Sequence, residues 1–193
     1  MIEIKIATKE LIADIELLFC SNPSIEQCSC MWFLIPVKDF HAGGVEGNRT
    51  KFRQLLHSEP TPLGLIAYVE NSPVGWCAVG PRSRYHRAIR TPTYKGRDSK
   101  EDDHVWLVPC FFIREEAENL KLSQALLERA VALAEEYGAS AIEGFPFSGT
   151  KTKSSGDTQV GVESVFMSCG FTIDRRPSEN RVVMRRQLKS TIK

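Results

Sequence analysis

The chain has 193 residues, of which 42% are hydrophobic and 25% are charged, and its formal net charge is +1. These values are typical of a globular protein, and the length predicts a single domain over residues 1–193. A nearly neutral chain has no overall field that attracts nucleic acid or an anionic membrane, so we expect neither as a partner.

The ends, the longest apolar run and the cysteines indicate a cytoplasmic protein. Residues 1–6 alternate like a strand and lack the regions of a signal peptide. The apolar run at 105–113 is far shorter than the ~20 residues that span a bilayer. Six cysteines lie in apolar contexts without a regular framework, which favours reduced, buried thiols. Cys28-Ser29-Cys30 lacks the spacing of a zinc site, so we expect no metal.

The first half of the chain predicts a strand, two helices and a hairpin. Thr8 is a candidate N-cap for the first helix, and Asn71-Ser72 with Pro73 predicts the turn of the hairpin. The segment from Pro23 to Phe33 has no regular pattern. The predicted elements are a strand at 2–7, helices at 9–19 and 48–57, and strands at 63–70 and 74–79.

The second half is dominated by an apolar strand that leads into a long helix. Residues 80–103 show no sustained pattern beyond a helical turn at 85–89, and a connection of that length is usually functional or disordered. Residues 148–157 form a polar loop. The predicted elements are strands at 105–113, 141–145, 171–175 and 181–188, and helices at 120–137 and 159–169, with Gly138 and Gly170 as helix stops.

Pro109 interrupts the apolar strand at 105–113. Proline cannot donate a hydrogen bond to a neighbouring strand. We therefore expect Pro109 to mark a sheet edge, a bulge, or a place where the next strand pulls away. The alternative is a merely irregular strand.

This order of elements, together with six short segments, resembles the GNAT superfamily of N-acetyltransferases, and one bacterial branch of it in particular. The segments are residues 28–32 (CSCMW), 73–79 (PVGWCAV), 110–114 (CFFIR), 125–127 (ALL), 142–146 (IEGFP) and 169–171 (CGF). The resemblance implies a mixed α/β, GNAT-like acyl-CoA N-acyltransferase fold, with a mostly antiparallel central sheet flanked by helices. It also implies acetyl-CoA as cosubstrate.

In that family the central strand binds the pantetheine arm through its backbone, and the following loop and helix start bind the pyrophosphate, where unpaired N–H groups and the helix dipole favour an anion. The resemblance assigns the strand role to Phe111, Phe112 and Ile113. It assigns the phosphate role to the loop–helix junction, whose residues are Asn119, Leu120, Lys121, Leu122 and Ser123.

The junction departs from the family pattern, which is Arg or Gln, two variable residues, Gly, one variable residue, then Gly, Ala or Ser. Here the six residues from Glu118 match only at Ser123, and Lys121 replaces a glycine. Asn119 tolerates a left-handed conformation and Lys121 offers an ammonium group, so the site survives in one interpretation. In the other, Glu118 and the side-chain bulk weaken coenzyme binding. Glu118 and Lys121 also fit ordinary solvated positions at a helix start.

Two residues are candidates for the catalytic chemistry, and a third position lacks the group that many relatives have there. Glu143, on the strand that flanks the acyl group, is a candidate base, with a salt-bridged or surface glutamate as the alternative. His104, at the start of the buried strand, is a second candidate base or a merely exposed side chain. Many relatives carry a tyrosine acid where this chain has Phe166, which we assign to core packing or to a wall of the coenzyme cleft.

We therefore expect an acetyl-CoA-dependent N-acetyltransferase that acts on a primary amine of a small molecule or peptide by direct transfer. The rival hypotheses are a catalytically impaired acyl-CoA-binding or sensor module and a purely structural domain. Tyr85 and Tyr94 are candidates to line an acceptor pocket. The basic residues between Arg82 and Lys100 could attract an acidic acceptor or the coenzyme phosphates, or form a solvated loop face. The sequence is also compatible with a homodimer.

Overall fold

The computed structural model describes residues 1–148 and 159–189. Within these ranges seven strands form one sheet in the order β1-β2-β3-β4-β5-β7-β6. β4 and β5 are parallel, and the other neighbouring strands are antiparallel. The strands are β1 (Ile2–Ile6), β2 (Gly64–Val69), β3 (Ser72–Pro81), β4 (Val105–Ile113), β5 (Ala141–Gly144), β6 (Thr172–Ser178) and β7 (Arg181–Gln187).

Helices cover both faces of the sheet. α4 and α5 pack on one face, where Leu126 and Phe166 belong to one apolar cluster. α1 to α3 pack on the other, where Ile15 and Phe52 belong to a second cluster. The sheet is therefore the middle layer of three. The helices are α1 (Ile12–Cys20), α2 (Pro23–Cys28), α3 (Val37–Ser58), α4 (Leu122–Glu136) and α5 (Glu163–Ser168).

The central strand β4 and the long helix α4 agree best with the elements that the sequence predicts. β4 spans the predicted residues, and seven of its nine residues are buried because both faces of the sheet are covered. α4 buries Leu122, Leu126, Ala130 and Leu133 at helical spacing. Gly138 follows α4 with a φ of 74°, the left-handed conformation that ends many helices.

The first helical region differs from the prediction. Residues Lys9–Leu11 form a 3-10 turn before α1, and Thr8 makes no side-chain capping bond to it. α2 occupies the segment predicted to be irregular. It begins because the Asn22 side chain accepts hydrogen bonds from the N–H groups of Ser24 (3.0 Å) and Ile25 (3.4 Å).

Two other boundaries are corrected. α3 begins at Val37 instead of Asn48, and a break at Gly44, with a φ of 56°, separates its two parts. The hairpin turn lies at Glu70 and Asn71, with φ values of 49° and 67°, and not at Asn71-Ser72. A two-residue turn with two positive φ angles matches the right-handed twist of its strands.

The remaining comparisons concern the long connection before β4 and the last predicted helix. The long connection before β4 consists of 3-10 turns, Arg82–Arg84, Ala88–Arg90, Pro92–Tyr94 and Ser99–Glu101. The predicted helix at 159–169 is reduced to α5, because residues 159 and 160 form a turn, Gly161 has a φ of 78° and Val162 is extended. The predicted loop at 148–157 lies outside the described residues from position 149 onward.

Candidate active site

The parallel strands β4 and β5 separate in the middle of the sheet. Their ladder runs from Val105 opposite Ala141 to Val108 opposite Gly144 and ends there. Pro109 is the next residue of β4, so its missing N–H falls where no ladder partner exists. This confirms the interpretation of Pro109 as the point where the neighbouring strand pulls away.

Residues 159–162 partly fill the gap between the separated strands. The Phe111 N–H donates a hydrogen bond to the Gln159 carbonyl. The Phe147 N–H donates to the Gly161 carbonyl at 3.0 Å, and the Glu163 N–H donates to the Phe147 carbonyl at 3.0 Å. One of the backbone donors on the free edge of β4 is therefore already engaged by the chain itself.

A cleft of about 770 Å³ opens beside this edge. Its volume lies in the range of small-molecule sites. Side-chain direction alternates along a strand, so N–H groups alternate as well, and the Ile113 N–H points to the same side as that of Phe111. The predicted residues that line the cleft are Phe111, Phe112, Ile113 and Ser123.

The start of α4 borders the cleft. Its first N–H groups have no partner within the helix, and the dipole of a 15-residue helix places partial positive charge there. Lys121, immediately before the helix, has a φ of 54° and a ψ of 28°. The lysine therefore adopts a left-handed conformation, which is strained for a residue with a Cβ.

The remaining junction residues are less favourably placed. The Lys121 side chain is exposed and does not line the cleft, and the Leu122 side chain is fully buried in the core. Leu122 as a whole is 0% exposed and does not line the cleft, so of the described residues at the start of α4 only Ser123 does. The side chains of Asn119 and Leu120 lie outside the part of the chain that the structure describes.

The rim of the cleft is acidic. It carries Arg114, Glu115, Glu116 and Glu118, which we call the cleft rim. Arg114 is paired with Glu116 at 2.7 Å. The three carboxylates outnumber the single guanidinium, so the side chains of the cleft rim repel a diphosphate. The backbone N–H groups of β4 and α4, in contrast, attract a diphosphate. The backbone at the cleft thus suits an anionic group, and the rim side chains oppose one.

Phe166 lies behind the cleft and is fully buried. Its ring centroid is 6.1 Å from that of Phe111 and 5.0 Å from that of Phe171. A Cβ at Gly144 would come within 2.2 Å of the Phe166 ring, so the glycine at the end of β5 makes room for it. Phe166 therefore packs in the core, as one of its two interpretations held, and supports Phe111 from behind.

Glu143 lies in a buried ion network and is only 1% exposed. Arg82 donates to both of its carboxylate oxygens at 3.0 Å, and Arg185 donates to one at 3.1 Å. The alternative interpretation of Glu143, a salt-bridged glutamate, describes this environment. The complete buried ion network consists of Arg82, Arg97, Glu101, Asp102, Glu143 and Arg185.

His104 lies at the opposite end of β4 from the cleft. It is exposed, its N–H donates to the Glu101 carbonyl at 2.9 Å, and its carbonyl accepts from the Ser140 N–H at 2.9 Å. Pro109 is five residues further along the chain, which corresponds to roughly 16 Å at about 3.3 Å per strand residue. Among the described residues, neither Glu143 nor His104 lines the cleft.

A second pocket of about 360 Å³ lies on the other side of β4. It shares Ser24 and Gln159 with the cleft, and Pro109 and Cys110 form its floor on β4. Tyr85, but not Tyr94, lines it among the residues that the structure describes. Sequence reasoning used residues 28–32 only as part of the family resemblance and assigned no site role to the segment from α2 to α3, which supplies most of the wall of this pocket.

The second pocket contains thiols that remain protonated. Burial raises the pKa of Cys28, and burial raises the pKa of Cys30 to about 12. Burial also raises the pKa of Cys110 well above its ordinary value. All six cysteines are free, and Cys20 is exposed, contrary to the expectation that all are buried. A neutral thiol is a poor nucleophile.

This arrangement, with parallel strands that separate beside a helix start, defines an α/β fold of the GNAT acetyltransferase type. Comparison with solved structures supports the assignment. A GNAT-family acetyltransferase from Streptococcus pneumoniae is similar with a TM-score of 0.59 and 13% identity, covering 98% of this chain and 100% of that one. At this identity the similarity establishes the fold alone.

Two further structures of this fold contain a coenzyme. A putative acetyltransferase from Salmonella typhimurium with its cofactor acetyl-CoA has a TM-score of 0.57 and 14% identity, covering 100% of this chain and 96% of that one. An N-acetyltransferase from Thermoplasma acidophilum in complex with coenzyme A has a TM-score of 0.53 and 12% identity, covering 97% and 99%. The predicted fold is therefore confirmed.

Other comparisons add no family. No protein-family model matches the sequence, and no curated protein matches it. None of the described helices is long and apolar enough to cross a membrane. Residues 1–148 and 159–189 contain no group of three or more His, Cys, Asp or Glu side chains that could hold a metal ion.

Proposed function

We propose that this protein is an acetyl-CoA-dependent N-acetyltransferase that transfers the acetyl group directly to a primary amine of a small molecule or peptide. The observation that carries the proposal is the free edge of β4 beyond Val108, which faces a cleft bordered by the start of α4. A strand edge and a helix start together offer N–H donors to a pantetheine amide and to a diphosphate. Acetyl-CoA supplies an activated thioester.

The coenzyme would be held mainly by backbone. The N–H groups of Phe111 and Ile113 would face the pantetheine arm, and that of Ser123, which lines the cleft at the start of α4, would face the diphosphate. Gln159 must release the Phe111 N–H before the arm binds there. The cleft rim also repels the phosphates, so we expect weaker binding than a basic junction would give.

Direct transfer follows from the chemistry of the second pocket. The amine nitrogen attacks the thioester carbon, a C–N bond forms, the C–S bond breaks, and the coenzyme leaves as a thiolate. A double displacement would need a thiolate on the protein, and the raised pKa values of Cys28, Cys30 and Cys110 oppose one. The proton lost by the amine passes to a base, and from the base through water in the open cleft to the coenzyme thiolate.

The base is the least determined part of the proposal. Both oxygens of Glu143 accept bonds from guanidinium groups, and His104 lies at the far end of β4. We therefore propose that Glu143 positions the loop before β4 instead of accepting the proton. His41 lies at the rim of the second pocket, and imidazole suits proton transfer near neutral pH. We propose His41 as the base.

Isothermal titration calorimetry with acetyl-CoA and with free CoA tests the coenzyme site, and release of free thiol in the presence of amines tests turnover. We expect binding at micromolar to millimolar strength and thiol release that depends on the amine. His41→Ala should lower turnover without changing coenzyme affinity, and His104→Ala should change neither. If the titration shows no heat of binding at millimolar coenzyme, the proposal that this protein is an acetyltransferase is refuted.

A catalytically impaired acyl-CoA-binding or sensor module is the second candidate. The bond from Phe111 to the Gln159 carbonyl favours it, since a self-occupied edge resists the coenzyme. The acidic cleft rim and the absence of a hydroxyl at Phe166 favour it as well. Coenzyme binding without thiol release across a broad amine panel would support this candidate. The free thiols suit a reducing compartment, and we propose the cytoplasm.

A further inference from the structure

The second pocket offers an uncharged wall beside the point where β4 and β5 separate. Its described lining residues include no Asp, Glu, Lys or Arg. Trp32, Phe33 and Phe40 supply aromatic surface, and the Trp32 and Phe40 rings meet edge to face with centroids 5.0 Å apart. Such walls favour an apolar occupant, because the free energy gained grows with the apolar area that leaves water.

A cation lies against this aromatic wall. The Arg87 guanidinium stacks on the Trp32 ring at 3.3 Å from its centroid and donates to the Trp32 carbonyl at 3.3 Å. Within residues 1–148 and 159–189 it has no carboxylate partner, and burial lowers its pKa. An unpaired positive charge opposes a second cation nearby, so the pocket suits an uncharged group better than an ammonium group.

Three small side chains keep the pocket open. Cys28, Cys30 and Cys110 line it, and their protonated thiols behave as small apolar groups. The volume of about 360 Å³ lies in the range of sites that hold a whole small molecule. An acetyl group would fill only a small part of it.

The backbone that carries two of these thiols is strained. Ser29 and Cys30 are consecutive residues with φ values of 42° and 58°. The Ser29 hydroxyl donates to the Glu26 carbonyl at 2.9 Å, and the Trp76 indole N–H donates to the Cys30 sulfur at 3.3 Å. These contacts hold a turn that leaves both Cys28 and Cys30 in the pocket wall. Left-handed backbone of this kind concentrates at ligand sites.

The second pocket meets the coenzyme cleft where transfer would occur. Ser24 and Gln159 line both. Pro109, the first residue beyond the ladder of β4 and β5, lies with Cys110 on the pocket floor, whereas Phe111 lines the cleft. A pantetheine arm along β4 would therefore bring its thioester to the mouth of the pocket. This placement rests on the proposed function.

We propose that the second pocket holds the acyl group of the coenzyme, and that the protein transfers medium-length saturated acyl groups such as butyryl and hexanoyl as well as acetyl. The acyl chain is uncharged and flexible, so it matches both the walls and the volume. The acceptor amine reaches the thioester from the rim, where His41 is exposed. The bonds change as in acetyl transfer, since only the chain behind the acyl carbon differs.

Isothermal titration with acetyl-CoA, butyryl-CoA and hexanoyl-CoA tests the inference, with free CoA as the reference. A fully buried methylene group corresponds to about a fourfold gain in affinity, so hexanoyl-CoA should bind at least about tenfold more tightly than acetyl-CoA. Butyryl-CoA should lie between them. Thiol release with an amine panel should occur with all three thioesters.

Cys28→Phe tests whether the gain comes from this pocket. The larger side chain at the end of α2 occupies space that the acyl chain needs, so the ratio of hexanoyl-CoA to acetyl-CoA affinity should fall to within about twofold of one. Cys28→Met intrudes less and should lower the ratio by a smaller factor, which keeps the test available if the phenylalanine variant does not fold. The melting temperature of each variant reports whether it folds.

Cys20→Phe is the matched control. Cys20 ends α1 as Cys28 ends α2, but it is exposed and lines neither the cleft nor the second pocket among the residues that the structure describes. This variant should keep the tenfold ratio. Equal affinity of the unaltered protein for acetyl-CoA and hexanoyl-CoA, or a ratio that survives in both Cys28 variants, would overturn the inference.

A thioester without a diphosphate separates this inference from the proposed function. S-hexanoyl-N-acetylcysteamine carries the acyl group and the end of the arm alone. If it binds and Cys28→Phe abolishes that binding, while no coenzyme binds, the pocket is upheld and the acetyltransferase is overturned. Thiol release from acetyl-CoA without any gain for hexanoyl-CoA would uphold the acetyltransferase and overturn the acyl pocket. An amine whose binding Cys28→Phe abolishes, with unchanged acyl-CoA ratios, would assign the pocket to the acceptor and also overturn the inference.

Discussion

Two charged regions of this protein are built in opposite ways. In the buried ion network, Arg82 and Glu143 are each 1% exposed, and Arg82 also donates to Asp102 at 2.7 Å. On the cleft rim, the described pair joins Arg114 and Glu116, whose side chains are 31% and 60% exposed. The first region has opposite charges in close contact around a buried centre, Arg82 and Glu143, and the second has an excess of exposed carboxylates.

The difference teaches where a charge affects stability and where it affects a ligand. A buried charge that loses its partner cannot be solvated, so each member of the ion network depends on the others. A rim carboxylate is already solvated and contributes little to stability. Its field still reaches an anion in the cleft, so the rim should affect coenzyme affinity while the network should affect folding.

Removal of Arg82 should produce the largest effect. Arg82→Ala leaves Glu143 and Asp102 without their central partner and should lower the free energy of unfolding by about 3–5 kcal/mol. Urea unfolding followed by circular dichroism measures this loss. Arg129→Ala is the control, since the Arg129 pair with Glu136 is exposed on α4 and should change stability by less than about 1 kcal/mol. Equal losses would contradict the distinction.

Acid should weaken the network in a defined window. Hydrogen bonds from Arg185 lower the pKa of Glu101 below its ordinary 4.5. Burial opposes ionisation of Asp102, but bonds from Arg97 and Arg82 outweigh it and lower its pKa below the ordinary 3.8. Both carboxylates therefore add stability above these values, and that stability is lost as the pH falls below them.

Urea unfolding at a series of acidic pH values measures this loss. The free energy of unfolding should fall as the pH decreases from 4.5, and Glu101→Gln should make the fall shallower, since the variant has one carboxylate fewer to protonate. Parallel curves for the two proteins would show that the Glu101 pair with Arg185 adds no pH-dependent stability.

The sequence predicted the parts of the fold that depend on periodicity. β4 and α4 are long and strongly patterned, so their limits were predicted almost completely. α2 is only six residues long, and its start depends on one asparagine side chain, a signal too local for periodicity to reveal. Pro109 was informative because proline lacks a donor whatever surrounds it.

The site was less predictable, because it depends on contacts between distant residues. Glu143 and its partner Arg82 are 61 positions apart, and no local pattern indicates that they pair. The engagement of Phe111 by Gln159 depends on how residues 159–162 return to β4. The departures at Glu118 and Lys121 were visible in the sequence, but the left-handed backbone of Lys121 was not.

Lys121→Gly should raise the free energy of unfolding, whereas Arg82→Ala lowers it, and the change should be of intermediate size. Lys121 has a φ of 54°, which costs roughly 1 kcal/mol for a residue with a Cβ and almost nothing for glycine. The variant should therefore raise the free energy of unfolding by up to about 1 kcal/mol in urea. Lys121→Glu keeps the strain and adds a negative charge near the phosphate site, so it should weaken acetyl-CoA binding without gaining stability.

The smallest effect is expected on the cleft rim, where it concerns affinity alone. Glu118→Gln removes one of three carboxylates that line the cleft near the start of α4, whereas Glu116 is already paired with Arg114. A charge at a helix start is worth about 0.3–1 kcal/mol, so acetyl-CoA should bind roughly two- to fivefold more tightly. Titration calorimetry at low ionic strength measures this gain, which should shrink as salt screens the rim.

Glu128→Gln is the matched control, because Glu128 is exposed on α4 and does not line the cleft among the described residues. It removes the same charge from the same helix and should leave the coenzyme affinity unchanged. If both variants gain equally, the effect comes from the net charge of the protein and not from the rim. If only Glu118→Gln gains, the cleft beside α4 is where the anionic coenzyme lies, because a short-range field must act on a charge close to it.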